Sequence, residues 1–490
     1  PIYRQKRWQK RKKLKSRNRE KNIGSDYSMK KDSFVHPYIP NTVETIREEM
    51  LEAVGIKQIQ ELYVDIPKEV KFNKPLDLPD PFLSEYELKK HVEKILAKNK
   101  TCSENLSFLG AGCYQHHIPA VCNEIANRGE FVTAYDAGYY ADQGKYQAMF
   151  EYLSMMAELL DTDVVSITYD GLSAISSSLL MASRITDRKE ALIVGSVSKD
   201  KKSHINNFCR PVMDIRFFDY DKESGEVDLN DLGKKLSDKT ACVFFESPSY
   251  LGTIETQGEK IASLAHQYGA LCVVSINPLS LGVLAPPSSY GADIICGDVQ
   301  PLGLHMNYGG GLCGFISTSD DQRFLNEHPS PPLSVFPEEN GDLYFGKPTK
   351  QFSSYLKREH SPDFTGSLQT LSSITAGVYL ATMGPQGMRE IGETIMQKSA
   401  YGRSLIGKIN GVKTNRISGC AFNEFVVDFN GTGKTVQKIN KFLLKKGIFG
   451  GKDLSGEFPE LGQSALFCIT EVHSAEDIEF LVDILKEAVK

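Results

Sequence analysis

ACVFFESPSYLGTIETQGEKIASLAHQYGALCVVSINPLSLGVLAPPSSYGADIICGD, residues 241–298, is a run of apolar segments separated by polar and glycine-containing connections. ACVFFES (241–247), LCVVSI (271–276) and DIICGD (293–298) are short, rich in β-branched and aromatic residues, and read as strands. Between the first two lies GEKIASLAHQYG (258–269), whose apolar residues return at helical spacing. Strands that are apolar throughout, alternating with amphipathic helices, predict a mainly parallel sheet covered on both faces, since each strand then buries both its sides. ALIVGSV (191–197) continues the pattern upstream, and the alternation extends over roughly 105–340.

Working outward, the chain changes character at both ends. After about residue 375, ITAGVYLATMG (374–384) and GMREIGETIMQKSAYGRSLIGKI (387–409) predict a long helical stretch. It leads to a smaller unit in which FNEFVVDF (422–429) and LFCITE (466–471) read as strands and two helices close the chain. Upstream, HPYIPNT (36–42) is proline-spaced and extended. Thr42–Ala53 reads as a helix capped by Asn41 or Thr42, and Ser84 caps EYELKKHVEKILAKN (85–99). Residues 1–28 are dense in Lys and Arg, carry the sole tryptophan, Trp8, and hold too few apolar residues to bury a core. They read either as an arm for nucleic acid or an anionic surface or, as the favoured expectation, as a non-native extension preceding a start-like Met29. The expected organisation is therefore a basic disordered extension (1–28), an N-terminal arm with helices (29–100), a large α/β domain (101–374, with an insertion near 325–360), and a connecting helix with a small α+β domain (375–490).

The bulk figures narrow the function classes. With 490 residues, 41% hydrophobic and 24% charged, the chain is long enough for more than one core. A net charge of −5 gives no whole-chain reason to expect nucleic-acid binding. Its apolar runs are strand-sized, far short of the ~20 residues of a membrane-spanning helix, and no signal-peptide core stands near the N-terminus, so a cytoplasmic address is expected. The ten cysteines form no C-x-x-C pair, and several lie inside apolar strand runs. Buried reduced thiols are expected, without a disulfide framework or a metal site.

A large α/β domain followed by a small α+β one suits the aminotransferase-like fold of pyridoxal phosphate enzymes. That chemistry needs a lysine for the Schiff base and an acid for the pyridinium nitrogen, so that the ring acts as an electron sink. In the aminotransferase-like fold, the acid ends one central strand and the lysine follows the next. Here Asn277 stands where the acid would, and QPLGLH (300–305) follows the strand DIICGD. No lysine occurs between Lys260 and Lys347. Both requirements fail in one place.

The same words carry a resemblance. HPYIPNT (36–42), DIP (65–67), PLDLP (75–79), SFLGAGCYQHHIPA (107–120), TAYD (133–136), QGKYQAMFEY (143–152), YDGLSA (169–174), PLSLG (278–282), YGADI (290–294), GPQG (384–387), FNEFVV (422–427) and TE (470–471) occur in fixed order. In that order and spacing the chain resembles the first subunit of the two-subunit P-protein of the glycine cleavage system. The resemblance implies a non-cofactor-bearing chain that binds no pyridoxal phosphate covalently. Its homologous partner, subunit 2, carries the lysine and the cofactor in an α2β2 assembly. The pair would decarboxylate glycine and pass the aminomethyl group to the lipoyl arm of the carrier H-protein.

Residues in the matched words become shared-site candidates: His116, Thr133, Tyr135, Gln143, Gly144, Tyr169, Asp170, Arg358 and Asn423. Each has a structural alternative. His116 is equally a hydrogen-bonded structural histidine, Asp170 a helix cap, and Asn423 and Glu424 more often structural; His117 is expected in packing. The glycines of NYGGGLCGF (307–315) read as tight backbone passage rather than a phosphate cradle. Two segments depart from the family pattern: DAGYYAD (136–142), one residue shorter, and HSPDFTGSL (360–368), in which Pro362, Asp363 and Phe364 replace a polar word. They leave open a related enzyme acting on another amino acid, or an inactive scaffold.

Overall fold

The computed structural model describes residues 38–72, 77–80, 82, 84–132, 142–309, 313–330, 332–346 and 369–490. Two compact units result, Pro1–Leu96 and Ala97–Lys490. In the first, Pro40–Thr42 form a single 3-10 turn ahead of α1 (Glu44–Val54). The expected Asn41 or Thr42 cap is thereby corrected. The 3-10 turn takes up both residues, Thr42 Oγ1 donates to the Ile39 carbonyl at 2.7 Å, and Val43 stands at the cap position without a side-chain bond. Ser84 Oγ does accept the Glu87 N–H, at 3.3 Å, at the start of α2 (Glu85–Leu96). Neither helix buries a residue.

The second unit is built on a seven-stranded sheet. Its strands are β1 (Val164–Thr168), β2 (Glu190–Val194), β3 (Asp214–Phe218), β4 (Thr240–Glu246), β5 (Leu271–Ile276), β6 (Ile294–Asp298) and β7 (Gly314–Thr318). They lie in the order β1-β7-β6-β5-β4-β2-β3, with β7 antiparallel to both neighbours and the other pairings parallel. β2, β4 and β5 are buried at every residue, as strands covered on both faces must be. The sequence reading names β2, β4, β5 and β6. β1, β3 and β7 are additions from the structure.

Helices cover the sheet. α3 (Gln143–Leu160) buries Tyr152, Met156 and Leu160. α4 (Gly171–Thr186) packs against the central strands with eleven residues buried, Ala174 to Ser183 among them. α5 (Lys199–Cys209) follows β2, and α6 (Gly258–Gln267) joins β4 to β5. The long helix predicted after residue 375 is α7 (Thr370–Ile406), broken at Gly384, whose φ of 60° and ψ of −179° are non-helical. Pro385 follows at the break, where a lost backbone donor costs least. Seven cysteines, Cys242 and Cys272 in the strands among them, are buried free thiols.

Beyond α7 the smaller part contains β8 (Glu424–Asp428), α8 (Val436–Lys445), β9 (Lys452–Asp453), β10 (Ser464–Cys468) and α9 (Ala475–Val489). Its sheet runs β8-β10-β9, antiparallel. Phe425, Val427, Phe467, Ile478, Leu481 and Leu485 form its apolar core. Near residue 325–360, Ser334–Pro337 pairs with Leu343–Gly346 as a hairpin, and the segment from 347 lies outside the described residues.

Gly252 joins the two parts. Its φ is +92°, and a Cβ there would stand 2.0 Å from the Glu424 carbonyl oxygen of β8. Gly252→Ala therefore combines a left-handed backbone penalty with a backbone clash, and should lower the unfolding free energy by about 2–4 kcal/mol. Urea unfolding followed by circular dichroism reads it. An unchanged midpoint would contradict the close approach.

Candidate functional site

The C-terminal ends of β4, β5 and β6 and the N-terminal ends of α4 and α5 converge on a cleft of about 230 Å³. The position follows from parallel topology, which brings strand ends and helix starts to one edge of the sheet. Each strand delivers a polar residue where its apolar run stops: Glu246 from β4, Asn277 just after β5, Asp298 from β6. Asp170 caps α4, its Oδ1 accepting the Ser173 N–H at 2.7 Å. Ser198 caps α5, its Oγ accepting the Lys201 N–H at 3.2 Å, and this turn aims Lys201 into the cleft. The Lys201 ammonium donates to Glu246 Oε1.

The cleft is electrostatically lopsided. Among the described residues, four carboxyl groups, Asp170, Asp200, Glu246 and Asp298, share it with one ammonium, Lys201. Burial pushes Asp298 up to about 6, although the N–H groups of Gln300 (2.8 Å) and Gly171 (3.1 Å) bond its carboxylate. Behind it, Glu424 reaches in from β8. Glu424 Oε1 accepts the Ala111 N–H at 2.6 Å, and Oε2 accepts the Tyr114 hydroxyl at 2.9 Å. Burial raises Glu424 to about 7 and holds the Tyr114 phenol well above its ordinary value.

Pyridoxal phosphate does not fit these residues. The phosphate of such a group needs free N–H donors at a helix start. At α4 the Gly171 N–H already bonds Asp298, the Ser173 N–H bonds Asp170, and both caps are anions that repel phosphate. A Cβ at Gly171 would lie 2.8 Å from Asp298 Cβ, so the carboxylate is packed against the helix start. Asn277 offers an amide where a pyridinium needs an acid, and its Oδ1 is taken by the Leu279 N–H at 3.1 Å. After β6 the turn through Gln300 and Leu304 contains no lysine, and Gln300 closes it by bonding Tyr114 and the Leu304 carbonyl.

The candidates from the sequence separate. Asp170 is both a cap and a cleft residue, and Tyr169 beside it is 43% exposed. His116 is buried, its Nδ1 2.7 Å from Glu471 Oε2, while Glu471 Oε1 accepts the His117 N–H at 2.7 Å. His117, expected in packing, is an exposed residue whose backbone N–H is held by Glu471. The Gln143 amide clamps the Phe345 backbone, accepting its N–H at 2.8 Å and donating to its carbonyl at 3.0 Å, with Gly144 in the same turn. Asn423 is buried beside Cys468, 3.7 Å from its sulfur, and its carbonyl accepts the Ile469 N–H. Thr133, Tyr135 and Arg358 lie outside the described residues, as do 136–141 and 360–368. Gly314 does serve close passage, since a Cβ there would meet the Asp170 carbonyl at 2.3 Å. Sequence reasoning missed Lys201, Glu246, Asp298 and Tyr114; the available signal was a charged residue ending each apolar strand, or one turn past a serine cap.

The profile of the family described as glycine cleavage system P-protein matches residues 36–485. A "Probable glycine dehydrogenase (decarboxylating) subunit 1" of Staphylothermus marinus is 35% identical over 465 residues, covering 93% of this chain and 98% of that one. Its namesake from Carboxydothermus hydrogenoformans is 37% identical over 453 residues, 91% and 99% of the two chains. Among solved structures, the inhibitor-bound glycine decarboxylase (P-protein) of the glycine cleavage system superposes with a TM-score of 0.79 at 30% identity, over 93% of this chain and 99% of that one. A Burkholderia pseudomallei sphingosine-1-phosphate lyase, at 15% identity and a TM-score of 0.63, shares the fold.

Glu424 generates a pH prediction. Its carboxyl is raised from 4.5 to about 7 in the fold, so the folded state holds a proton the unfolded chain releases. The associated stability is complete below about pH 4.5 and is lost as pH rises to about 7, a change of order 3 kcal/mol. Glu424→Gln should remove that part of the slope when chemical unfolding is followed between pH 4.5 and 7.5. Parallel curves for the two proteins would contradict the burial of Glu424.

Proposed function

Because the chain belongs to the glycine cleavage system P-protein family, we propose that it is the non-cofactor subunit of a two-chain glycine decarboxylase. Its partner is a homologous subunit that carries pyridoxal phosphate, and the two form an α2β2 heterotetramer. The pair decarboxylates glycine and hands the aminomethyl group to the lipoyl arm of the H-protein. The observation that supports this reading is the start of α4, where the carboxylates of Asp298 and Asp170 take the Gly171 and Ser173 N–H groups. A chain with that helix start, no lysine after β6 and an amide at Asn277 has no cofactor site of its own, so within this family its contribution is to a neighbour's site.

When bound to the partner, the cofactor supplies an electron sink for loss of CO2. The part of this chain is to shape, exclude water and position. Tyr169, exposed at the sheet edge beside Asp170, and His116, oriented by Glu471, are the described candidates for a wall of the shared site. Thr133, Tyr135 and Arg358 complete the proposed set. Gln143 and Gly144 contribute by anchoring the hairpin at Phe345. Among the described residues no helix is long and apolar enough to cross a membrane.

Co-expression of the full chain with a lysine-bearing homologue, followed by exchange of labelled CO2 into the glycine carboxyl with lipoyl carrier present, tests the proposal. Exchange by the pair and by neither chain alone is the expected outcome. A stable, cofactor-loaded pair without exchange would overturn the glycine assignment, and failure to form any complex would overturn the subunit reading.

A further inference from the structure

Two residues that line the cleft each leave a buried polar atom, of opposite kind, without a partner among the described residues. Glu246 gives Oε1 to Lys201, and its Oε2 is buried without a partner among the described residues, on a side chain only 4% exposed. Asn277 gives Oδ1 to the Leu279 N–H, and its Nδ2 is likewise buried and unpartnered among the described residues. Both residues line the same 230 Å³ cleft. A buried carboxylate oxygen and a buried amide N–H that bond nothing are each costly, and together they ask for a molecule bearing one strong donor and one acceptor.

We propose that this cleft binds a small organic ligand carrying a primary ammonium and a neutral hydrogen-bond acceptor, the ammonium on Glu246 and the acceptor on Asn277. Charge selects the ammonium. Asp170, Asp200 and Asp298 line the same cleft as Glu246, and Lys201 is the single cation among the described lining residues, so a cation is drawn in while phosphates and carboxylates are repelled. For the same reason the acceptor on the ligand is neutral, an amide or carbonyl oxygen rather than a carboxylate. An ammonium also brings three N–H donors, enough for Glu246 Oε2 and a neighbouring carboxylate at once. A metal ion would leave the Asn277 N–H unanswered, and among the described residues no cluster of His, Cys, Asp and Glu could hold one. The volume suits a ligand of few heavy atoms. The cleft is thus a receptor for a molecule of opposite charge, and this inference stands whether or not the chain serves in glycine decarboxylation.

The probe is glycinamide, compared with acetamide, which keeps the acceptor without the charge, and ethylamine, which keeps the charge without the acceptor. Binding to the full chain is followed by ligand-observed NMR at a pH where both amines are protonated. Glycinamide should bind at least tenfold more tightly than either fragment. Glu246→Gln should weaken it at least tenfold, and Asn277→Leu should reduce it to the level of ethylamine. Because Glu246→Gln also removes the partner of Lys201 and could disturb folding, the ranking of the three compounds on the wild-type chain is decisive by itself. Equal binding of the three, or none, would overturn the proposal, as would undiminished glycinamide binding in both folded variants.

Discussion

At the start of α4, the Gly171 N–H bonds the carboxylate of Asp298 at 3.1 Å, and the arrangement of the cleft depends on that contact. A helix N-terminus at the C-terminal edge of a parallel sheet is an anion site by geometry, because its first N–H groups have no intrahelical partners. In this chain the anion is built in. Asp298 ends β6, the residue facing it is a glycine with no room for a Cβ, and Asp170 takes the Ser173 N–H two residues on. A fold that elsewhere in its range of enzymes receives a phosphate at this position has here closed it with its own side chains.

Other features of the site follow. With the Gly171 and Ser173 N–H groups taken by carboxylates, Lys201 is the only cation among the described residues that line the cleft, and Glu246 is its partner. Burial raises Asp298 and Glu424, so much of the acidity is held close to neutral pH instead of being discharged by counter-ions. Glu424 also ties β8 to the segment around Ala111 and to Gly252. It reaches Ala111 and Tyr114 with its carboxylate while its own backbone packs against Gly252. The altered chemistry of the cleft is therefore built into the contact between the two parts of the second unit.

The four most apolar strands were legible because both their faces are buried and their polar residues stand at or next to an end. β1 was not, because VVSIT carries Ser166 in mid-strand, where it bonds the buried ring of His328, itself also bonded to Thr318 of β7. Burial pushes that histidine down to about 4, and it serves as a neutral bridge between neighbouring strands. β3 was hidden by Asp214 and Arg216, which an edge strand exposes or pairs with Glu190 on β2. In the site, the missing lysine and Asn277 could be read directly because each is a residue type at a strand end. The meeting of Lys201 with Glu246, or of Tyr114 with a glutamate 310 residues away, is set by sheet order and domain contact, which no local pattern reveals. The Asn41 or Thr42 cap failed for a smaller reason, since a 3-10 turn from Pro40 consumed both candidates before the helix began.

The central claim is that this chain belongs to a cofactor enzyme yet has no place for the cofactor itself. The most direct test is borohydride reduction of the purified two-chain complex in the presence of pyridoxal phosphate, followed by mass spectrometry of the separated chains. The account predicts a stoichiometric phosphopyridoxyl label on the partner chain and none on this one, Lys201 included. A stoichiometric label at Lys201, or at any other lysine of this chain, would contradict it.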